Sequence, residues 1–145
     1  MKRTLIICTI CCMAALPGLS QSLAGEWNGF YNYYYGSGTM VAPASDMPLK
    51  LKITVNSDST YKIISYSGRG EEETECAVYY RKLSEDSVFL QEMRVMKPEG
   101  KTNTGLQMMY LKISRRKKTM YLEGTWRFSP GDERLVGEIY LYKKD

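Results

Sequence analysis

Histidine is missing from the chain altogether. That removes the side chain most used for proton transfer near neutral pH and the commonest metal ligand. Proline is scarce, and no stretch carries an apolar period of 3.6 with caps, so any helix should be short. No apolar run reaches the roughly 20 residues a membrane-spanning helix needs. Three of the four cysteines, Cys8, Cys11 and Cys12, sit in the first apolar segment, which leaves Cys76 alone in the rest of the chain. Signature motifs are absent too: there is no glycine-x-serine-x-glycine elbow, no metalloprotease motif and no phosphate-cradling glycine loop. No cofactor is called for, and an enzyme is not expected.

What is present begins with a leader. Lys2 and Arg3 precede an apolar run from Thr4 to Leu16, and Pro17 and Gly18 break it. This is the layout of a secretory signal peptide over residues 1–20, cut before Gln21 or, alternatively, Ser22. Lipid attachment is the weaker reading, because Ile7, Ile10 and Cys11, not small residues, precede the three leader cysteines. The product is expected to be exported, periplasmic or extracellular, with one domain over residues 21–145. Losing Lys2 and Arg3 takes the net charge from +4 to +2, too mild to argue for nucleic acid as a partner. Cys76 then has no intrachain partner. It reads as a buried inert thiol, a reactive thiol or a dimer cross-link, and its place among strand residues favours the first. No feature of the sequence sets an oligomeric state.

Residues 21–145 alternate with period two. Leu49, Leu51, Ile53 and Val55 interleave with Lys50, Lys52 and Thr54, marking one buried and one wet strand face. Turn clusters recur at Asn56-Ser57-Asp58-Ser59, Ser67-Gly68-Arg69-Gly70, Ser84-Glu85-Asp86, Arg115-Arg116-Lys117-Lys118 and Ser129-Pro130-Gly131-Asp132. The count is about eight strands joined mostly by short turns. An all-β, antiparallel, up-and-down meander follows; it can close into a barrel, which removes its two edges, or split into a sandwich, and the short sequential turns favour closure. The expected interior draws on Trp27, Leu51, Ile53, Val55, Tyr61, Ile63, Leu122, Trp126 and Ile139.

Leu23-Ala24-Gly25-Glu26-Trp27 near the start is similar to Leu122-Glu123-Gly124-Thr125-Trp126 near the end. In each, a glycine two residues before a tryptophan shares its strand face and leaves room for a neighbour. Gly25, Trp27, Gly124 and Trp126 are therefore expected to form one barrel floor. The first triplet, the long loop after it and the closing Gly137-Glu138-Ile139-Tyr140-Leu141 resemble the lipocalin-like barrels of the calycin group, as found in small secreted bacterial proteins. That resemblance implies a structural tryptophan at the closed end beneath a basic side chain, with Arg127 and Arg134 as candidates. It also implies an apolar-ligand pocket at the open end.

Several features have both a functional and a plain reading. The loop from Gly36 to Pro48, with Met40, Val41 and Met47, reads as a lid over an apolar guest or as a tolerated surface loop. Tyr31, Tyr33 and Tyr35 share the Trp27 face and suit either a pocket wall or half-buried strand positions. Together, Tyr33, Tyr35, Met40, Val41 and Met47 are the expected contacts to a small hydrophobic or amphipathic ligand. The acidic run Glu71, Glu72, Glu73 and Glu75 lacks the spacing of a calcium loop, so no metal site is expected. Glu26, Glu92, Glu123 and Glu138 lie on strands, where a carboxylate pair would serve hydrolysis but a wet face is the usual setting. The alternative to ligand binding is a filled barrel acting as an interaction or structural module.

Overall fold

The structure is a computed structural model and describes residues 22–32, 34–36, 41–43, 46–101, 105–129 and 136–144. The expected leader over residues 1–20 therefore lies outside the described residues. Ten strands appear in chain order: β1 (Gly25–Tyr31), β2 (Tyr34–Gly36), β3 (Val41–Pro43), β4 (Met47–Val55), β5 (Tyr61–Ser67), β6 (Thr74–Lys82), β7 (Ser87–Lys97), β8 (Leu106–Arg116), β9 (Thr119–Ser129) and β10 (Val136–Lys144). One turn of 3₁₀ helix, Gly70–Glu72, joins β5 to β6.

Eight of the strands, β1 and β4 to β10, close an antiparallel barrel in which chain neighbours are ladder neighbours. β1 pairs with β4 on one side and completes the cylinder against β10 on the other. The small ribbon β2–β3 sits within the β1–β4 connection. Among the described residues no helix is long and apolar enough to cross a membrane.

Alternation sorts the side chains as the sequence pattern requires. Leu49, Leu51 and Ile53 of β4 are buried while Lys50, Lys52 and Thr54 face water. Val88 and Leu90 of β7, Met109 and Leu111 of β8, and Ile139 and Leu141 of β10 meet them across the cylinder. Trp27, Ile63, Leu122 and Trp126 are buried too, and Tyr61 packs partly buried against the cluster. Val55 is the exception, at 53% exposure. It has the right parity, but it ends β4 at the Asn56–Thr60 turn, where the strand runs past the core.

The two tryptophans do not share a floor. Trp27 comes early in β1 and lies beside Leu51, whereas Trp126 comes late in β9 and lies opposite Gly137. The rungs Gly29–Leu141–Leu122 and Tyr31–Ile139–Gly124 separate the two indoles. β1 and β9 run parallel to each other through β10, so similar motifs at different depths serve opposite ends of the barrel.

At the closed end, the Trp27 indole N–H donates to Leu23 O (2.8 Å), and Lys143 Nζ stands 5.1 Å from the ring centroid. Lys143 also donates to Ser22 O and Ala24 O, both at 2.7 Å. Gly25, at φ +126°, clears the way: a Cβ there would come within 2.9 Å of Lys143 Cδ. Among the described residues, the basic side chain over Trp27 is thus Lys143 and not Arg127. Arg127 lies instead against the Tyr110 ring, and Arg134 is outside the described residues.

Candidate functional site

The other end of the barrel is where the longer connections lie, and there the cylinder opens into a cup of about 470 Å³. Its walls are the strand ends that point that way. Tyr31, Met47, Val95, Leu106 and Phe128 supply apolar surface, while Ser67, Thr74, Glu71, Glu72 and Lys101 supply polar rim. Trp126 stands behind the aromatic wall, edge-to-face with Tyr31 (5.2 Å between centroids) and with Phe128 (4.9 Å). Its indole N–H donates to Asn32 O at 2.7 Å. That close approach needs Gly137, because a Cβ there would overlap both Asn32 O and the indole nitrogen.

The bottom of the cup is polar and deeply buried. Glu92 is 3% exposed, and its carboxylate accepts from the Ser65 hydroxyl (2.6 Å) and from the Gln107 backbone N–H (2.9 Å). The second bond replaces a ladder bond. β7 and β8 pair from Ser87↔Lys112 to Gln91↔Met108 and then part, and the Glu92 side chain meets the next amide across the gap. β7 also slips against β6, where Met93 and Met96 are skipped in the register, so both Glu92 and Val95 turn to the cup. Burial pushes the Glu92 carboxyl above its ordinary value, and the two donated hydrogen bonds offset only part of that rise. Gln107 is equally buried, and its amide oxygen has no hydrogen-bond partner among the described residues.

Cys76 lines the same floor as a free, buried thiol. Loss of water raises its pKa to about 12, with the Glu92 charge as the second cause. A thiol so placed stays protonated and is a poor nucleophile.

Of the expected ligand contacts, Met47 lines the cup. Tyr33, Met40 and the side chains of Tyr35 and Val41 lie outside the described residues, although Tyr35 and Val41 belong to the β2–β3 ribbon. Of the expected floor, Gly25 and Trp27 sit at the closed end, and Trp126 sits beside the cup. A Cβ at Gly124 would overlap the Tyr110 carbonyl oxygen, so this glycine allows β8 and β9 to crowd together rather than lining a floor.

The four strand glutamates do not converge. Glu26 and Glu138 are exposed, and Glu123 pairs with Arg116 at 2.8 Å. Glu92 points inward, against the wet face expected of a strand glutamate. The signal was in the sequence: Val88, Leu90 and Glu92 share parity, as do Gln107, Met109 and Leu111. Among the described residues no three His, Cys, Asp or Glu side chains are grouped to hold a metal ion. Neither family models, curated proteins nor solved structures match this chain.

Proposed function

We propose that this chain is an exported, lipocalin-like barrel that holds one small amphipathic molecule in its open-end cup and performs no chemistry on it. The observation that carries the reading is the cup itself. About 470 Å³ of space above a filled core, with an apolar wall and a few placed polar groups, falls within the range used for small ligands. The leader pattern of residues 1–20 supports export, and the cation over Trp27 supports the lipocalin-like resemblance. The protonated Cys76 thiol and the absence, among the described residues, of a second buried carboxylate beside Glu92 support binding over catalysis. The β2–β3 ribbon, rooted where β1 and β4 meet the cup, supports a role for the long loop as its cover.

The test is to express the full chain in a bacterial host, recover it from the periplasm, and titrate it with an amphipathic fluorescent probe. Saturable uptake of one probe per chain is expected. In a Trp27→Phe variant the emission of Trp126, beside the cup, should change in step with uptake. No uptake, together with no small molecule retained in native mass spectrometry, overturns the reading.

A filled-module reading draws on the outer face, where Phe30 stacks on Tyr140 (5.5 Å) and Tyr140 meets Tyr121 (5.7 Å). It predicts no probe uptake and a protein partner lost when Phe30 and Tyr140 are replaced by serine.

A further inference from the structure

The cup has a local charge opposite to that of the chain. The whole sequence is net positive, at +4, yet among the described residues lining the cup Glu71, Glu72 and Glu92 face only Lys101 as a base. Lys101 is itself engaged, donating from Nζ to Thr74 Oγ1 at 2.9 Å. At the bottom, two acceptors have hydrogen-bonding capacity to spare. Gln107 Oε1 is buried without a donor among the described residues, and the Glu92 carboxylate has lone pairs left beyond the two bonds it accepts. Two rings, Tyr31 and Phe128, stand in the wall above, and aromatic faces attract cations.

We infer that the cup selects a small amphipathic amine: its protonated nitrogen donates to Gln107 Oε1 and the Glu92 carboxylate, and its apolar body lies against Tyr31, Val95, Leu106 and Phe128. The inference deepens the binding-cup reading above and rests on it. An ammonium group supplies three donors and a positive charge, so it satisfies the orphan amide oxygen and compensates a carboxylate buried away from water. A neutral alcohol supplies one donor and no charge. A carboxylate-headed ligand meets three acidic side chains against the one ammonium of Lys101 and brings no donor, so it is disfavoured.

Hexylamine, hexanol and hexanoate share one apolar skeleton and differ in the head group, so they separate these cases. Calorimetric or NMR titration of the full-length exported protein at pH 7 should give hexylamine as the tightest, hexanol weaker by about tenfold or more, and hexanoate weakest, from the strength of charge-assisted hydrogen bonds. Glu92→Gln should weaken hexylamine by about tenfold while leaving hexanol within about twofold. Gln107→Leu, which keeps the backbone N–H that Glu92 accepts, should also weaken hexylamine and serves as the second variant should Glu92→Gln unfold. Equal affinity for amine and alcohol, or an amine affinity untouched by both variants, overturns the inference and leaves the cup reading standing. Tightest binding of hexanoate overturns it as well. Binding of none of the three probes overturns both.

Discussion

Replacing Glu92 by glutamine should change stability in a way that depends on pH. Burial holds the Glu92 carboxyl above its ordinary value of 4.5, so the folded chain binds this proton more tightly than the unfolded chain does. Below the ordinary value both states are protonated and the carboxyl carries no penalty. As pH rises from there through the raised value, the unfolded state ionises first and the native state loses up to about 1.4 kcal/mol per pH unit. Above the raised value the loss stays constant. Glutamine never ionises and escapes it. Its amide oxygen can accept from Gln107 N–H, and its amino group can donate to the Ser65 hydroxyl, which rotates to accept. The swap should therefore cost about 1 kcal/mol at pH 4, the size of one altered hydrogen bond. That deficit should shrink to nothing, or become a gain, by pH 8. Urea unfolding followed by tryptophan emission at pH 4, 6 and 8 reads the difference directly. A difference that is flat with pH, or that grows as pH rises, would refute the burial argument. Glu92→Leu is the companion: it orphans the Ser65 hydroxyl and the Gln107 amide, at about 1–3 kcal/mol each, so its deficit at pH 4 is larger and narrows with rising pH in parallel with that of Glu92→Gln.

The remaining predictions are structural. Gly137→Ala should cost about 1–3 kcal/mol, and more where the Trp126–Asn32 hydrogen bond is also lost, because its methyl would overlap both partners; an unchanged thermal midpoint would contradict this. Lys143→Met keeps the stem but loses the cation over Trp27 and two carbonyl contacts, for about 1–2 kcal/mol in urea unfolding. Cys76 should resist iodoacetamide at pH 8 while the barrel is folded and react at a rate set by unfolding, since its thiol is buried and its pKa is raised to about 12. Labelling as fast as a free thiol would refute that.

The barrel was legible because its information is local. Period-two alternation from Leu49 to Ile53 and turn residues between runs specify an antiparallel meander, and its short sequential turns favour closure over a split into two sheets. What stayed hidden depends on register between distant strands. Lys143 shares parity with Gly137, Ile139 and Leu141, but only the β1–β10 pairing brings it over Trp27. The same holds for the depth of Trp126, which a motif cannot report without its position along the strand. Glu92 was readable as an inward residue from Val88 and Leu90. Its partners were not, because they come from β5 and β8 and depend on two slips of β7 against β6. Val55 shows the converse limit: parity predicts a face, while burial also needs a neighbour opposite.

A meander shut into a cylinder has one join that no hairpin can make. Every other rung links barrel strands that follow one another in the chain, β1 and β4 across the β2–β3 ribbon included, but β1 and β10 meet only after the whole chain between them is in place, and their ladder is short, from Asn28↔Tyr142 to Tyr31↔Ile139. Both margins of that join are fastened by side chains: Lys143 ties down Ser22 and Ala24 below, and above, the Asn32 backbone N–H donates to Glu138 O while the Glu138 N–H donates to Asn32 Oδ1. Loop-closure entropy concentrates on this single edge. The molecule is thus a curled sheet before it is a cylinder, and whatever loosens the join opens the cylinder before it melts the sheet.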